Sequence, residues 1–133
     1  MPTSASATFT GEASGQGIDG NWVGAPAIVT ANFGPGTTGT VDITASQTTA
    51  GVVGTIDVTG ATISGNAING GTLTATRGGT AIDATSNSVH SFAPNIDGYF
   101  YGYDNTNNTP DEVGIEIGAI GTDARIDLRV FAD

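Results

Sequence analysis

The sequence predicts an all-β fold, a single antiparallel up-and-down β-barrel of about eight strands, and three observations lead to it. Gly supplies 21 of 133 residues and is joined by abundant Thr, Ser, Asn, Ala and Val, a composition that disfavours helices and favours short strands between turns. Segment after segment alternates apolar with polar residues, whereas no stretch of about 12 residues repeats apolar positions at helical spacing without a Gly. These strands follow one another in near-sequential hairpins, which suits a barrel better than a sandwich and hides the sheet edges that a Thr/Val-rich chain would offer for aggregation. One core is enough for a chain of this length, so residues 1–133 are read as one barrel domain.

Taken in order, residues 4–13 form a first strand in which Ala5, Ala7, Phe9 and Gly11 alternate with Ser6, Thr8, Thr10 and Glu12, and Gly15-Gln16-Gly17 breaks it. Residues 18–26 carry turn chemistry and the only Trp, Trp22, and read as a loop with an aromatic plug. Ala27, Val29, Ala31 and Phe33 then alternate, Gly34-Pro35-Gly36 turns the chain, and Val41 and Ile43 are expected inward in a short hairpin. Residues 52–63 read as a further hairpin with Ile56 and Val58 inward and a break at Gly60-Ala61. Asn69-Gly70-Gly71 marks a turn before Leu73 and Ala75, and Gly78-Gly79 ends that strand. Residues 80–96 are the least periodic part and read as a connection over one rim, with room for a turn of helix. The long hairpin of residues 97–118 holds the densest aromatic cluster, and the last strand sets Ile126, Leu128 and Val130 against Arg125, Asp127, Arg129 and Phe131.

Thirteen acids face three arginines and no lysine, for a net charge of −10. Nucleic acid and anionic membranes demand the opposite sign, because their binding rests on Lys/Arg displacing counterions. A cationic partner fits, and so does a plain acidic coat that keeps a β-protein in solution. The absence of Cys removes disulfides, thiolate metal sites, thiol nucleophiles and a lipid-bearing cysteine. The first residues lack a basic and an apolar segment, and no run of about 20 apolar residues follows, so no membrane insertion is expected. Export by an unread signal, an excised domain and a virion component all remain open.

Gly98, Phe100, Tyr101 and Gly102, then Pro110, Glu112, Val113 and Gly114, can be set on the Gly-x-Phe-Tyr-Gly-Pro-x-Ala-x-Glu-Val-Gly-Gly motif of the transferrin-binding-protein-B-like surface proteins of Gram-negative bacteria. Val130-Phe131-Ala132 resembles the end of that family's terminal strand, and weaker echoes lie at 30–34, 38–40 and 61–66. The resemblance implies a barrel displayed outside a bacterial cell. Residues 103–109 open the family's tight Gly-Pro step, Ile115 replaces its second Gly, and the family's handle domain and anchor are missing from this sequence.

No constellation points to catalysis, a metal or another cofactor. The acidic stretch 104–112 fails EF-hand spacing, with Thr106 at the third position and no Gly at the sixth. His90, the sole His, has neither basic residues for haem propionates nor a Gly-x-Ser-x-Gly companion. The acids fall on alternate positions, as on a wetted face, rather than as a pair across a cleft. The chain is therefore expected to be a non-enzymatic binding module that contacts a protein or other ligand through the stretches 18–26, 80–96 and 103–111. Its candidate contact residues are Trp22, His90, Tyr99, Tyr101, Tyr103, Asp104, Asn107 and Asp111. Tyr99, Tyr101 and Tyr103 share one side of their strand, and the sequence leaves open whether that side faces solvent or the interior. The alternative function is a structural subunit of a virion or surface layer.

Overall fold

The computed structural model describes residues 6–33, 39–86, 94–103 and 110–133. They form ten strands and no helix: β1 (Ser6–Gly17), β2 (Gly20–Asn32), β3 (Gly39–Thr49), β4 (Val52–Ser64), β5 (Ala67–Asn69), β6 (Thr72–Arg77), β7 (Thr80–Ile82), β8 (Asn95–Tyr103), β9 (Pro110–Ile120) and β10 (Arg125–Ala132). All pairings are antiparallel. The ladder β3-β2-β1-β10-β9-β8-β5-β4 is closed by β4 pairing with β3, giving an eight-stranded barrel. β6 and β7 are extra: β6 pairs with β4 below the point where β4 pairs with β5, and β7 pairs with β6.

Alternation builds the interior. Val29, Val41, Ile43, Val58, Leu128 and Val130 each expose no more than 1% of their surface, and no polar or charged residue is buried among those described. An eight-stranded ring leaves room for little beyond the side chains that fill it. Phe100 lies between Phe9 and Phe33, with ring centroids 5.9 and 5.5 Å away, in the tilted geometry aromatic pairs prefer.

Several strands are longer than their glycines suggest. β2 and β4 run straight through Gly24 and Gly60 because each glycine sits in a β-bulge, at φ +61° and +70°. At such a bulge one strand carries an extra residue, and a residue without Cβ enters the left-handed region without strain. Each loose amide finds a side chain next door: Gly24 N donates to Ser14 Oγ at 3.1 Å and Gly60 N to Asp42 Oδ1 at 2.9 Å.

Residues 18–26 are therefore no loop: they are a tight turn at 18–19 followed by the start of β2. Trp22 is 1% exposed, and its indole Nε1 donates to Ile18 O at 3.1 Å. A Cβ on Gly17 would overlap the indole ring, and one on Gly54 would lie 3.4 Å from it. Trp22 is thus a plug inside the barrel, not a contact residue, because a ring of that size is worth more buried than wet. Residues 52–63 are a single strand rather than a hairpin. Asn69-Gly70-Gly71 does not fold β5 onto β6, since both pair with β4. Within 80–96, residues 80–82 are strand, β8 starts at Asn95, and no described residue is helical.

Replacing Trp22 by Ala should cost about 3–5 kcal/mol, the usual range for emptying a large aromatic site, and Gly17→Ala about 1–3 kcal/mol through overpacking against the indole. Urea unfolding followed by far-ultraviolet circular dichroism measures both. An unchanged midpoint for either variant would contradict the plug.

Candidate functional site

Of the eight candidate residues, only some can be placed. His90, Asp104 and Asn107 lie outside the described residues, and of Tyr103 only the backbone is described, paired with Pro110. Asp111 is exposed on β9, its Cβ 3.5 Å from where a Cβ of Gly102 would stand. Tyr99 and Tyr101 point outward at 51% and 50% exposure, while Phe100 between them points in at 1%. The open question of the tyrosine face is thereby answered for Tyr99 and Tyr101.

The three contact stretches do not converge. The 18–19 turn and residues 80–86 lie at the barrel end that also holds the β3–β4 and β9–β10 turns. Tyr103 and Pro110, which bracket the third stretch, lie at the opposite end, because β8 and β9 run the barrel's length between the two.

What does converge is a row of side chains across the outer wall. The register puts Tyr99 opposite Gly114, Gly114 opposite Phe131, Phe131 opposite Glu12, and Glu12 opposite Pro26. Neighbouring strands lie about 4.8 Å apart, so Tyr99 and Phe131 flank a glycine at a spacing of roughly 10 Å. Gly114 is the floor between rings: a Cβ there would stand 3.3 Å from both the Tyr101 and the Phe131 ring. Phe131 is 67% exposed. The rings lean over a depression that Glu12, Glu112, Asp127 and Arg129 also line. Arg129 Nε donates to Glu116 Oε1 at 3.1 Å. Glu12, Glu112 and Asp127 have no side-chain partner among the described residues.

Phe131 was visible in the sequence as an outward residue of the last strand, but nothing there said that Tyr101 and Gly114 are its neighbours. Glu12 stands in the sequence as an outward residue of the first strand and Glu112 as a motif residue of the acidic stretch 104–112, with nothing to bring the two to one site.

Two polar clusters occupy the end near Trp22, and both are spent on structure. Asp19 and Arg77 form a bidentate pair at 2.8 and 2.7 Å, tying the 18–19 turn to the end of β6. The hydrogen bonds from Arg77 hold the Asp19 carboxyl below its ordinary range. The Asp83 carboxylate accepts from the Ser86 hydroxyl, from the Ser86 amide at 2.9 Å, and from the Thr122 amide and hydroxyl at 3.2 and 2.9 Å. Asp123 N donates to Asp83 O at 2.9 Å and Asp83 N to Asp123 Oδ2 at 2.7 Å, while a Cβ on Gly121 would overlap the Asp83 carbonyl. The chain leaving β7 is latched to the β9–β10 turn. The donors around Asp83, the Ser86 hydroxyl first, pull its carboxyl far below the usual value. No group of acids able to hold a metal occurs among the described residues.

A carboxyl lowered in the folded state stabilises fully above its unfolded pKa, near 3.9, and progressively less as pH falls toward the folded value. Asp83→Asn should therefore lower the urea midpoint at pH 7, and its difference from the unsubstituted chain should shrink steadily below about pH 4. A difference that stays constant down to pH 2 would remove the latch from the account. No family model, curated protein or solved structure matches this chain.

Proposed function

We propose that the chain is a non-catalytic binding module, displayed outside the cell, that meets a protein or other macromolecular ligand on the outer wall of β8, β9, β10 and β1. The observation that carries this reading is the aromatic row: Tyr99, Tyr101 and Phe131 are each at least half exposed, and Tyr101 and Phe131 line the depression. Isolated exposed apolar residues need no explanation, but aromatics gathered by register into one patch mark contact surfaces. Tyr gives large contact area at low entropic cost.

Other features support the same reading. The barrel interior is filled with apolar side chains, so chemistry that needs convergent carboxylates has no buried place to occur among the described residues. Thr and Asp dominate the outward positions of β3 and β4, the reverse of a lipid-facing barrel. The net charge of −10 disfavours nucleic acid. Display outside a bacterial cell, and kinship with the transferrin-binding-protein-B-like barrel, rest on the motif of β8 and β9 and on the absence of Cys.

A second reading is favoured by a specific observation. Val23, at 84% exposure, lies near Val52 and Val53 toward the end that carries the 18–19 turn, since its amide bonds Gln47 Oε1 and Gln47 pairs with Gly54. Two separate apolar patches on one small barrel are what a subunit touching two unlike neighbours presents. That is the pattern of a virion or surface-layer component.

Peptide and glycan arrays probed with the chain and with a Tyr99→Ser/Tyr101→Ser/Phe131→Ser variant test the first reading. The variant should lose its captured ligands while each exposed change costs no more than about 1 kcal/mol in stability. Ligands held equally by both proteins would sink it. Sedimentation velocity tests the second: a discrete oligomer dispersed by Val23→Ser/Val53→Ser makes the barrel an assembly unit.

A further inference from the structure

We infer that the depression between Tyr101 and Phe131 receives a Lys- or Arg-bearing segment of a protein partner. This rests on the reading of the outer wall as a contact surface and adds the chemistry of what binds there.

The argument is one of complementarity. Two rings, from Tyr101 and Phe131, close over Gly114 from the strands on either side of it, line the depression and stay 50% and 67% exposed. Aromatic faces attract cations, and guanidinium stacks on them best. Around the rings stand three carboxylates with no partner among the described residues: Glu12 directly across from Phe131, Glu112 directly across from Tyr101, and Asp127 farther along β10. The one cation in the lining, Arg129, is already paired with Glu116. A neutral apolar ligand would leave these carboxylates facing it unmatched, and an anionic one would be repelled. A cationic side chain satisfies rings and acids together. The chain contributes no Lys at all and its three Arg are on its own wall or rim, so the cation must come from elsewhere.

Generic attraction by a chain of charge −10 is the competing explanation, and the test separates the two. A capped peptide of alternating Gly and Arg is titrated into the isotope-labelled chain and followed by amide shifts, at low and at 0.15 M salt. The expected perturbations centre on Glu12, Tyr101, Glu112 and Phe131, which all line the depression. Tyr101→Ser/Phe131→Ser, which leaves the charge untouched, should weaken binding at least about fivefold, the worth of two exposed cation–aromatic contacts. Glu12→Gln/Glu112→Gln should weaken it and flatten its salt dependence. Asp42→Asn/Asp57→Asn, with the same loss of charge on β3 and β4 across the barrel, should leave it unchanged. Shifts scattered over all the acidic strands, or equal weakening by both charge pairs, overturn the inference in favour of plain electrostatics. Failure of the peptide to bind while a glycan or a second copy of the chain perturbs the same four residues overturns it too, yet keeps the outer wall as the contact surface. Perturbation of none of the four by any of these probes removes both.

Discussion

The seam between the first and last strands is what the rest of this molecule depends on. β1 and β10 pair in register from Gly11 opposite Ala132 to Gln16 opposite Asp127, and Thr10 and Asp133 exchange both backbone bonds at 3.0 and 3.2 Å beyond that ladder. The sheet comes so close there that a Cβ on Gly11 or Gly15 would overlap the β10 backbone. Any larger residue would force the strands apart. Closure then does two things: it seals the apolar side chains of eight strands into one dry interior, and it brings the first strand's Glu12 beside the last strand's Phe131. The candidate site is therefore a product of tertiary closure. It exists in no hairpin taken alone.

This explains how much could be read in advance. Period-two alternation depends only on neighbours in sequence, so the inward sets at Val41 and Ile43, at Ile56 and Val58, and at Ile126, Leu128 and Val130 were all legible, and with them the barrel. Glycine was harder. The same residue that ends a strand at Gly78 stays inside one at Gly24 and Gly60, because a bulge and a turn both ask for positive φ. What tells them apart is a partner strand ready to cap the loose amide, here Ser14 and Asp42, and neither is near in sequence. Misreading Gly24 as a turn put Trp22 in a loop. Its real place is set by space that Gly17 and Gly54 vacate from either side, which is again a tertiary fact.

The site was less legible than the fold for a related reason. Alternation assigns residues to one of two sides but not to the inside or the outside, so the tyrosines and Phe100 were known to be opposed without a direction. Direction comes from the core: Phe100 has Phe9 and Phe33 to pack against, and no comparable partners await Tyr99 or Tyr101. Register across strands is invisible in a single sequence, so Gly114 could be read as a motif residue of β9 but not as a floor between two rings.

A filled interior also narrows where any function can reside. A barrel that keeps a cavity works through its mouth; here Trp22 stops one end and the three phenylalanines fill the region behind β8, so the surface open to a ligand would be the wall or the connections at the rims. The connections join rigid strands at two opposite ends, whereas the wall offers one continuous patch fixed by backbone hydrogen bonds. Binding on a surface already held in place loses little entropy to ordering. The wall carries exposed rings, a depression and unmatched charge together, and it is their coincidence on four adjacent strands that distinguishes it from the acidic coat over the rest of the molecule.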